Sequence, residues 1–211
     1  MIGLAVSRWA AVLPVASGAS SSPSQAAATA SPRDHRPAVP GLTSGQIPSG
    51  APSLNAERRG LGQADGILPA HTTVFDAEIP GIANLDPDLR AALRDATTDA
   101  EGDGVKVYVD SGWRSAAYQE RLLRQAIATY GSEEQAARWV ATPETSPHVS
   151  GDAVDVGPAA AAAWLAKHGS AYGLCQIYRN EPWHFELRPD AIAHACPRMY
   201  ADPTHDPRMG R

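Results

Sequence analysis

Twelve of the thirteen aromatic residues lie between Phe75 and Tyr200, and the remaining one is Trp9. Burial of large side chains must outweigh the entropy of ordering the chain, so a packed core is confined to the later part of the sequence. The first 65 or so residues read as tail and the rest as domain. With 211 residues and 43% hydrophobic content there is enough material for one compact unit plus extra chain. The formal charge of -5 offers no global basic field, which argues against a nucleic-acid partner.

The tail is more than half Ala, Ser, Pro and Gly, so residues 21–65 read as a disordered linker. Residues 1–20 differ. Arg8 precedes the apolar run Trp9–Ala16, and the small residues Ser17–Ser20 follow, which is the n-, h- and c-region order of a secretory signal. An unstructured leader is the alternative. The leader points to export; no other run approaches the roughly 20 apolar residues of a membrane span, and if the leader is cleaved the mature chain is expected to be soluble or wall-associated. The only cysteines are Cys175 and Cys196. An even count in an exported chain favours a disulfide, and closing a loop of about twenty residues contributes on the order of 3 kcal/mol in the chain-entropy picture. Two buried thiols in a cytosolic protein are the alternative. No CxxC or paired histidine accompanies either cysteine, so a zinc-ligand role for them is weaker.

Within the domain, an extended piece is expected around Thr72–Phe75. Asp86-Pro87 is a helix start, with Leu89, Leu93 and Ala96 at helical spacing and a stop near Gly102. Val105–Val109 reads as a strand. Ser115 can cap a helix with the apolar stripe Tyr118, Leu122, Leu123, Ala126, Ile127 and Tyr130, ending at Gly131. Ser132 opens a second helix with Ala136, Trp139 and Val140 on its buried side. Thr142–Pro147 reads as loop. A strand at Ala153–Val156, a helix over Ala159–Lys167 and strands at Gln176–Tyr178 and Trp183–Leu187 follow. The last strands are too close for crossover helices, so the class is α+β with helices packed on a small antiparallel sheet.

Three polar clusters fall where the pattern calls for burial. In Ser146–Val156, His148 precedes Asp155, which shares a strand face with Ala153 while Val154 and Val156 point the other way. A carboxylate buried there costs several kcal/mol unless paired or bound to a cation, although a strand-end acceptor is the plain alternative. In Asn180–Leu187, His184 and Glu186 share one face, Trp183, Phe185 and Leu187 the other, and Pro182 sets Glu181 at the strand entry. Two imidazoles and a carboxylate with a fourth position open is the composition of a catalytic zinc site. The third cluster, Asp110–Ser115, places Arg114 at a strand-to-helix junction, where a helix N-terminus favours anions; a surface ion pair is the alternative.

Ser-x-His-x-x-Gly-x-Ala-x-Asp at 146–155, Glu-Pro-Trp-His at 181–184 and Ser-Gly-Trp-Arg-Ser at 111–115 together resemble, in order and kind, the signatures of VanY-type zinc D-alanyl-D-alanine carboxypeptidases. The likeness covers residues 66–200 and leaves 201–211 as a C-terminal tail. It implies the small α+β fold shared by D-Ala-D-Ala metallopeptidases and the hedgehog domain. It also implies one zinc ion on His148, Asp155 and His184, Glu181 as general base, and Arg114 on the substrate or the developing oxyanion. Ser115, Gln119, Ser146 and Trp183 fall at motif positions expected to touch substrate. The implied substrate is the D-Ala-D-Ala end of a peptidoglycan stem peptide, acted on by a monomer. The rivals are an L,D-carboxypeptidase or endopeptidase of the same chemistry, and a zinc-stabilised module that binds cell-wall peptide without cutting it. His205, in the acidic stretch Asp202–Pro207, reads as a surface residue.

Overall fold

In a computed structural model of the chain, residues 60–210 are described. The expected leader (1–20) and most of the linker (21–65) lie outside them. The elements run α1 (Pro80–Ala83), α2 (Pro87–Gly102), β1 (Tyr108–Ser111), α3 (Ala116–Tyr130), α4 (Glu133–Ala136), α5 (Pro147–Ser150), β2 (Ala153–Gly157), α6 (Ala159–His168), β3 (Leu174–Gln176), β4 (His184–Leu187) and α7 (Ala191–His194). The four strands form one antiparallel sheet in the order β1-β2-β4-β3, as the α+β reading expects.

Residues opposite one another in an antiparallel pair share a face, so the register divides the sheet chemically. Val109 faces Val156, Val154 faces Phe185, and Leu174 faces Leu187. This apolar side packs with Leu89, Leu93 and Ala96 of α2 and Ala161, Ala162 and Leu165 of α6 in the main core. The opposite face carries Asp155 beside His184, and Glu186 between Ala153 and Cys175. At β1 the register slips by one residue between Val109 and Ser111, so Ser111 instead of Asp110 lies opposite Asp155. This bulge moves Ser111 to the polar face.

Local chemistry explains most element ends. The Asp86 carboxylate caps α2 by accepting from the N–H groups of Asp88 and Leu89 at 2.9 and 3.0 Å, with Pro87 in the first turn. Ser115 caps α3 and Ser132 caps α4, as read from the sequence. Strand expectations shift where partners run out. The strand expected over 105–109 starts only at Tyr108, because β2 ends at Gly157 before a proline that cannot donate to the ladder. The strand expected at 176–178 lies at 174–176. Ile177 and Tyr178 turn away to pair with Tyr200, whose N–H donates to Ile177 O at 2.9 Å. Around Thr72–Phe75 the chain makes turns, with Thr72 O accepting from Val109 N.

The α3 stripe is also less buried than its periodicity suggests. Only Gln119 and Ala126 are buried there, because α3 packs beside α4 and not on the sheet. Helix α4 is one turn long, and Trp139 and Val140 beyond it are half-buried. The loop expected at 142–147 is a turn whose Pro147 opens the short helix α5, so His148 sits on helix instead of loop.

Both ends of the domain extend past the expected limits. Gln63–Asp65 form a 3-10 turn, and Asp65 accepts from the Ser115 hydroxyl at 3.0 Å. Residues 201–211 were expected as a tail, yet Asp202, Pro203 and Asp206 are buried. Two short 3-10 turns there, Pro203–His205 and Pro207–Met209, are each capped by an aspartate. Cys175 and Cys196 form the disulfide, with Cα atoms 5.5 Å apart. No helix of the described residues is long and apolar enough to cross a membrane.

Gly151 links α5 to β2 with φ +86°, and a Cβ there would lie 2.5 Å from Asn84 O. Gly131 has the same φ, but a Cβ there would meet nothing within 4 Å. Gly131→Ala should cost about the 1–2 kcal/mol of a left-handed residue, and Gly151→Ala clearly more. Urea unfolding of the two variants checks this ordering.

Candidate metal centre and cleft

His148, Asp155 and His184 reach one point from three elements. Asp155 and His184 are directly opposite on β2 and β4, and His148 comes from α5 through the Gly151 turn. His148 Nε2 lies 3.3 Å from His184 Nδ1 and 3.4 Å from Asp155 Oδ1, and His184 Nδ1 lies 3.2 Å from Asp155 Oδ1. All three residues are buried.

The surroundings fix which atoms face inward. His148 Nδ1 is 2.9 Å from Gly112 O. A carbonyl only accepts, so Nδ1 carries the proton and Nε2 presents a lone pair. His184 Nε2 is 3.2 Å from Glu186 Oε1, which likewise holds a proton on Nε2 and directs Nδ1 into the cluster. Arg114 Nη2 donates to Asp155 Oδ2 at 2.8 Å and leaves Oδ1 to the histidines. Three acceptor atoms thus converge on one point. Ligands about 2.0–2.1 Å from a tetrahedral zinc lie about 3.3–3.4 Å from one another, so this triangle fits one face of such a site. The three residues form a group that could hold a metal ion.

Electrostatics agree with a site built for a cation. Burial, with the Arg114 charge, pushes His148 down and keeps it neutral. Burial alone would raise Asp155, but the imidazoles and Arg114 outweigh it and hold the carboxyl well below its usual range. For His184, burial favours the neutral ring, while hydrogen bonds to Asp155 and Glu186 carry it up to about 10. An entering cation therefore competes with a proton on His184. Burial is the main reason that Glu181 is pushed up to about 7. Its Oε2 lies 3.8 Å from His184 Nδ1, and its buried Oε1 has no hydrogen-bond partner.

Among residues expected at the substrate, Arg114, Gln119, Ser146 and Trp183 line the cleft over this cluster, together with Trp139, Tyr178, Pro203 and Met209. Ser115 does not. Its hydroxyl accepts from Tyr118 N at 3.1 Å and donates to Asp65, so it serves as a cap. Gln119 is engaged at both ends, accepting from Arg114 Nη1 at 3.1 Å and donating to Ala141 O at 2.9 Å, and so orients the arginine. Arg114 also donates from Nε to Ser111 Oγ at 2.7 Å, the hydroxyl that the bulge delivers. The Ser146 hydroxyl caps nothing. Trp183, which strand alternation places on the face of Phe185 and the family likeness places at the substrate, precedes β4 and lines the cleft. His205 is exposed, as expected.

Sequence reasoning gave no role to Glu186, Asp206 or Arg208. Glu186 is fully buried and bonded to His184, Arg188 and Arg208. The period-two face that it shares with His184 was its one local signal. Arg208 had none.

The family model described as "VanY: D-alanyl-D-alanine carboxypeptidase" matches residues 83–190. A D-alanyl-D-alanine carboxypeptidase of Enterococcus faecalis is 27% identical over 139 residues, covering 53% of this chain and 52% of its own. The chain therefore spans about half the length of that curated relative. A solved structure of VanYB in complex with D-alanine-D-alanine is 26% identical, covers 53% of this chain and 74% of its own, and has a TM-score of 0.49. An L,D-carboxypeptidase DacB of Streptococcus pneumoniae is 26% identical, covers 53% and 71%, and has a TM-score of 0.45. With half of its length matched by the family model, and with that family's motifs gathered at one buried point, the chain belongs to the VanY D-alanyl-D-alanine carboxypeptidase family.

Proposed function

We propose that this chain is an exported zinc-dependent D-alanyl-D-alanine carboxypeptidase that removes the terminal D-Ala of peptidoglycan stem peptides. The observation that carries the reading is the triangle of His148, Asp155 and His184 with the Glu181 carboxylate beside it, one oxygen of which has no hydrogen-bond partner. The family match and the name of the Enterococcus relative support the substrate class. His148, Asp155 and His184 would hold the zinc, which when bound supplies Lewis-acid polarisation of the scissile carbonyl and a water of lowered pKa.

The chain's own groups supply the rest. Glu181 takes the proton of the attacking water and returns it to the leaving amine. Its elevated pKa suits both tasks, because a group poised near neutrality can accept and then release a proton. Its unpaired Oε1 leaves one oxygen uncommitted. Arg114 spends one N–H on each of Ser111, Gln119 and Asp155 and retains two for an oxyanion or a terminal carboxylate. Ser146 and Trp183 offer a hydroxyl and an aromatic wall to the bound peptide.

Incubating a pentapeptide stem with zinc-loaded protein and weighing the products by mass spectrometry tests the assignment. Loss of one alanine is expected. Loss of alanine only from a tetrapeptide stem, or an internal cut, assigns the chain to the L,D-carboxypeptidase or endopeptidase reading instead. Zinc bound without any cleavage makes it a binding module.

Glu181→Gln should keep zinc and lower kcat by about 10²–10⁴-fold, the usual contribution of a general base, and retained turnover would sink that role. A second readout uses the pKa itself. The folded value of about 7 lies above the ordinary 4.5, so the zinc-free chain loses stability as pH rises from 4.5 through 7. The zinc-free Gln variant lacks that loss. Its urea midpoint should therefore gain on wild type between pH 5 and pH 8, and parallel midpoints would contradict a carboxylate raised by burial.

A further inference from the structure

We propose that Arg208, in the segment after the family-matched residues, is a positioning residue for the metal site, acting through Glu186 on His184. The inference rests on reading His148, Asp155 and His184 as a zinc site.

The observations form one chain of contacts. His184 Nε2 meets Glu186 Oε1 at 3.2 Å, and Glu186 is fully buried. Arg208 closes on the same carboxylate with two nitrogens, Nη1 to Oε2 at 2.6 Å and Nη2 to Oε1 at 3.2 Å. Arg188 adds one bond to Oε2 but comes from the same strand end, with its Nη1 on Leu187 O. A two-pronged guanidinium fixes the plane of a carboxylate, whereas a single contact leaves it free to rotate. The plane of Glu186 in turn sets the ring orientation of His184 and the tautomer that directs Nδ1 inward.

Arg208 is itself held in place. Its Nε donates to both oxygens of Asp206, Nη2 pairs with the same carboxylate, and Asp206 accepts from the Tyr178 hydroxyl at 2.9 Å. Arg138 ties the segment down separately through Asp202 at 3.1 Å. The Arg208 side chain is 43% exposed, so solvent screens its charge and its value lies in geometry more than in stability. Outer-shell partners of ligating histidines typically carry 10–100-fold in metal affinity or activity. The family match ends at residue 190, so this clamp lies in a part of the chain outside it.

The test compares zinc dissociation constants, by chelator competition, and cobalt(II) absorption spectra for the full chain and for the variants Arg208→Gln, Arg208→Lys, Glu186→Gln, the double variant and Arg138→Ala. Melting of each zinc-free chain checks folding. Arg208→Gln should weaken zinc about 10-fold or more and alter the cobalt spectrum, and Arg208→Lys should lose less. The double variant should be no weaker than Glu186→Gln alone. Arg138→Ala should leave zinc affinity near wild type.

An Arg208→Gln chain within about twofold of wild type, with the same cobalt spectrum, overturns the inference. Additive losses in the double variant, or an equal loss in Arg138→Ala, do the same by removing the route through Glu186. Should Arg208→Gln fail to fold, Arg208→Lys carries the same comparison. A wild-type chain that binds no zinc overturns the site reading as well, which separates the two failures.

Discussion

Three acceptor atoms held within 3.4 Å of one another in a buried setting are the interaction on which the rest of the site depends. Nothing in such a triangle is attractive by itself, since two imidazole lone pairs and a carboxylate oxygen repel. Only a proton or a metal ion can make the arrangement favourable. Each inward atom is therefore defined by what holds the other side of its group: Gly112 O behind His148, Glu186 behind His184 and Arg114 behind Asp155. Those partners commit the donors elsewhere and leave the lone pairs facing in.

A sheet of four short strands can afford this because its two faces are kept apart. The apolar face is closed by α2 and α6, with Leu89, Leu93, Val154 and Phe185 fully buried. The polar face carries Asp155, His184 and Glu186, each satisfied by a charged or hydrogen-bonding partner. Period-two alternation allows both on the same strands: Val154 and Asp155, or Phe185 and Glu186, are neighbours in sequence that belong to opposite environments.

That alternation is also why much of the site was legible before any coordinates. Asp155 between two valines, and His184 and Glu186 interleaved with Phe185 and Leu187, place chemistry on one face by period alone. Caps at Asp86, Ser115 and Ser132 were legible for an equally local reason, as a short polar side chain before an apolar run. What escaped depends on long-range pairing. The bulge that brings Ser111 opposite Asp155 follows from the register against β2, and β3 shifts because Ile177 and Tyr178 pair with Tyr200. The α3 stripe resembled a core face, but periodicity does not say what lies opposite. Arg208 sits twenty-two residues from Glu186 in a stretch whose composition reads as tail, and only the fold joins them.

Charge closes the account of the cleft. The chain as a whole is acidic, yet an anionic peptide end, the substrate class proposed above, must reach a pocket containing Asp155 and Glu181. Against those two carboxylates the metal-free cleft sets the guanidinium of Arg114 and the His184 ring, which its hydrogen bonds to Asp155 and Glu186 keep protonated at neutral pH, so with both carboxylates ionised the formal charges cancel. A divalent cation on His148, Asp155 and His184 would take the place of that proton and leave the pocket net positive. Charges scattered over the surface are screened within a Debye length of about 8–10 Å, whereas groups lining the cleft act at contact distance. On this argument a bound cation would do more than activate water: it would give the pocket the net positive charge that receives a carboxylate, and loss of the metal would weaken substrate binding as well as turnover.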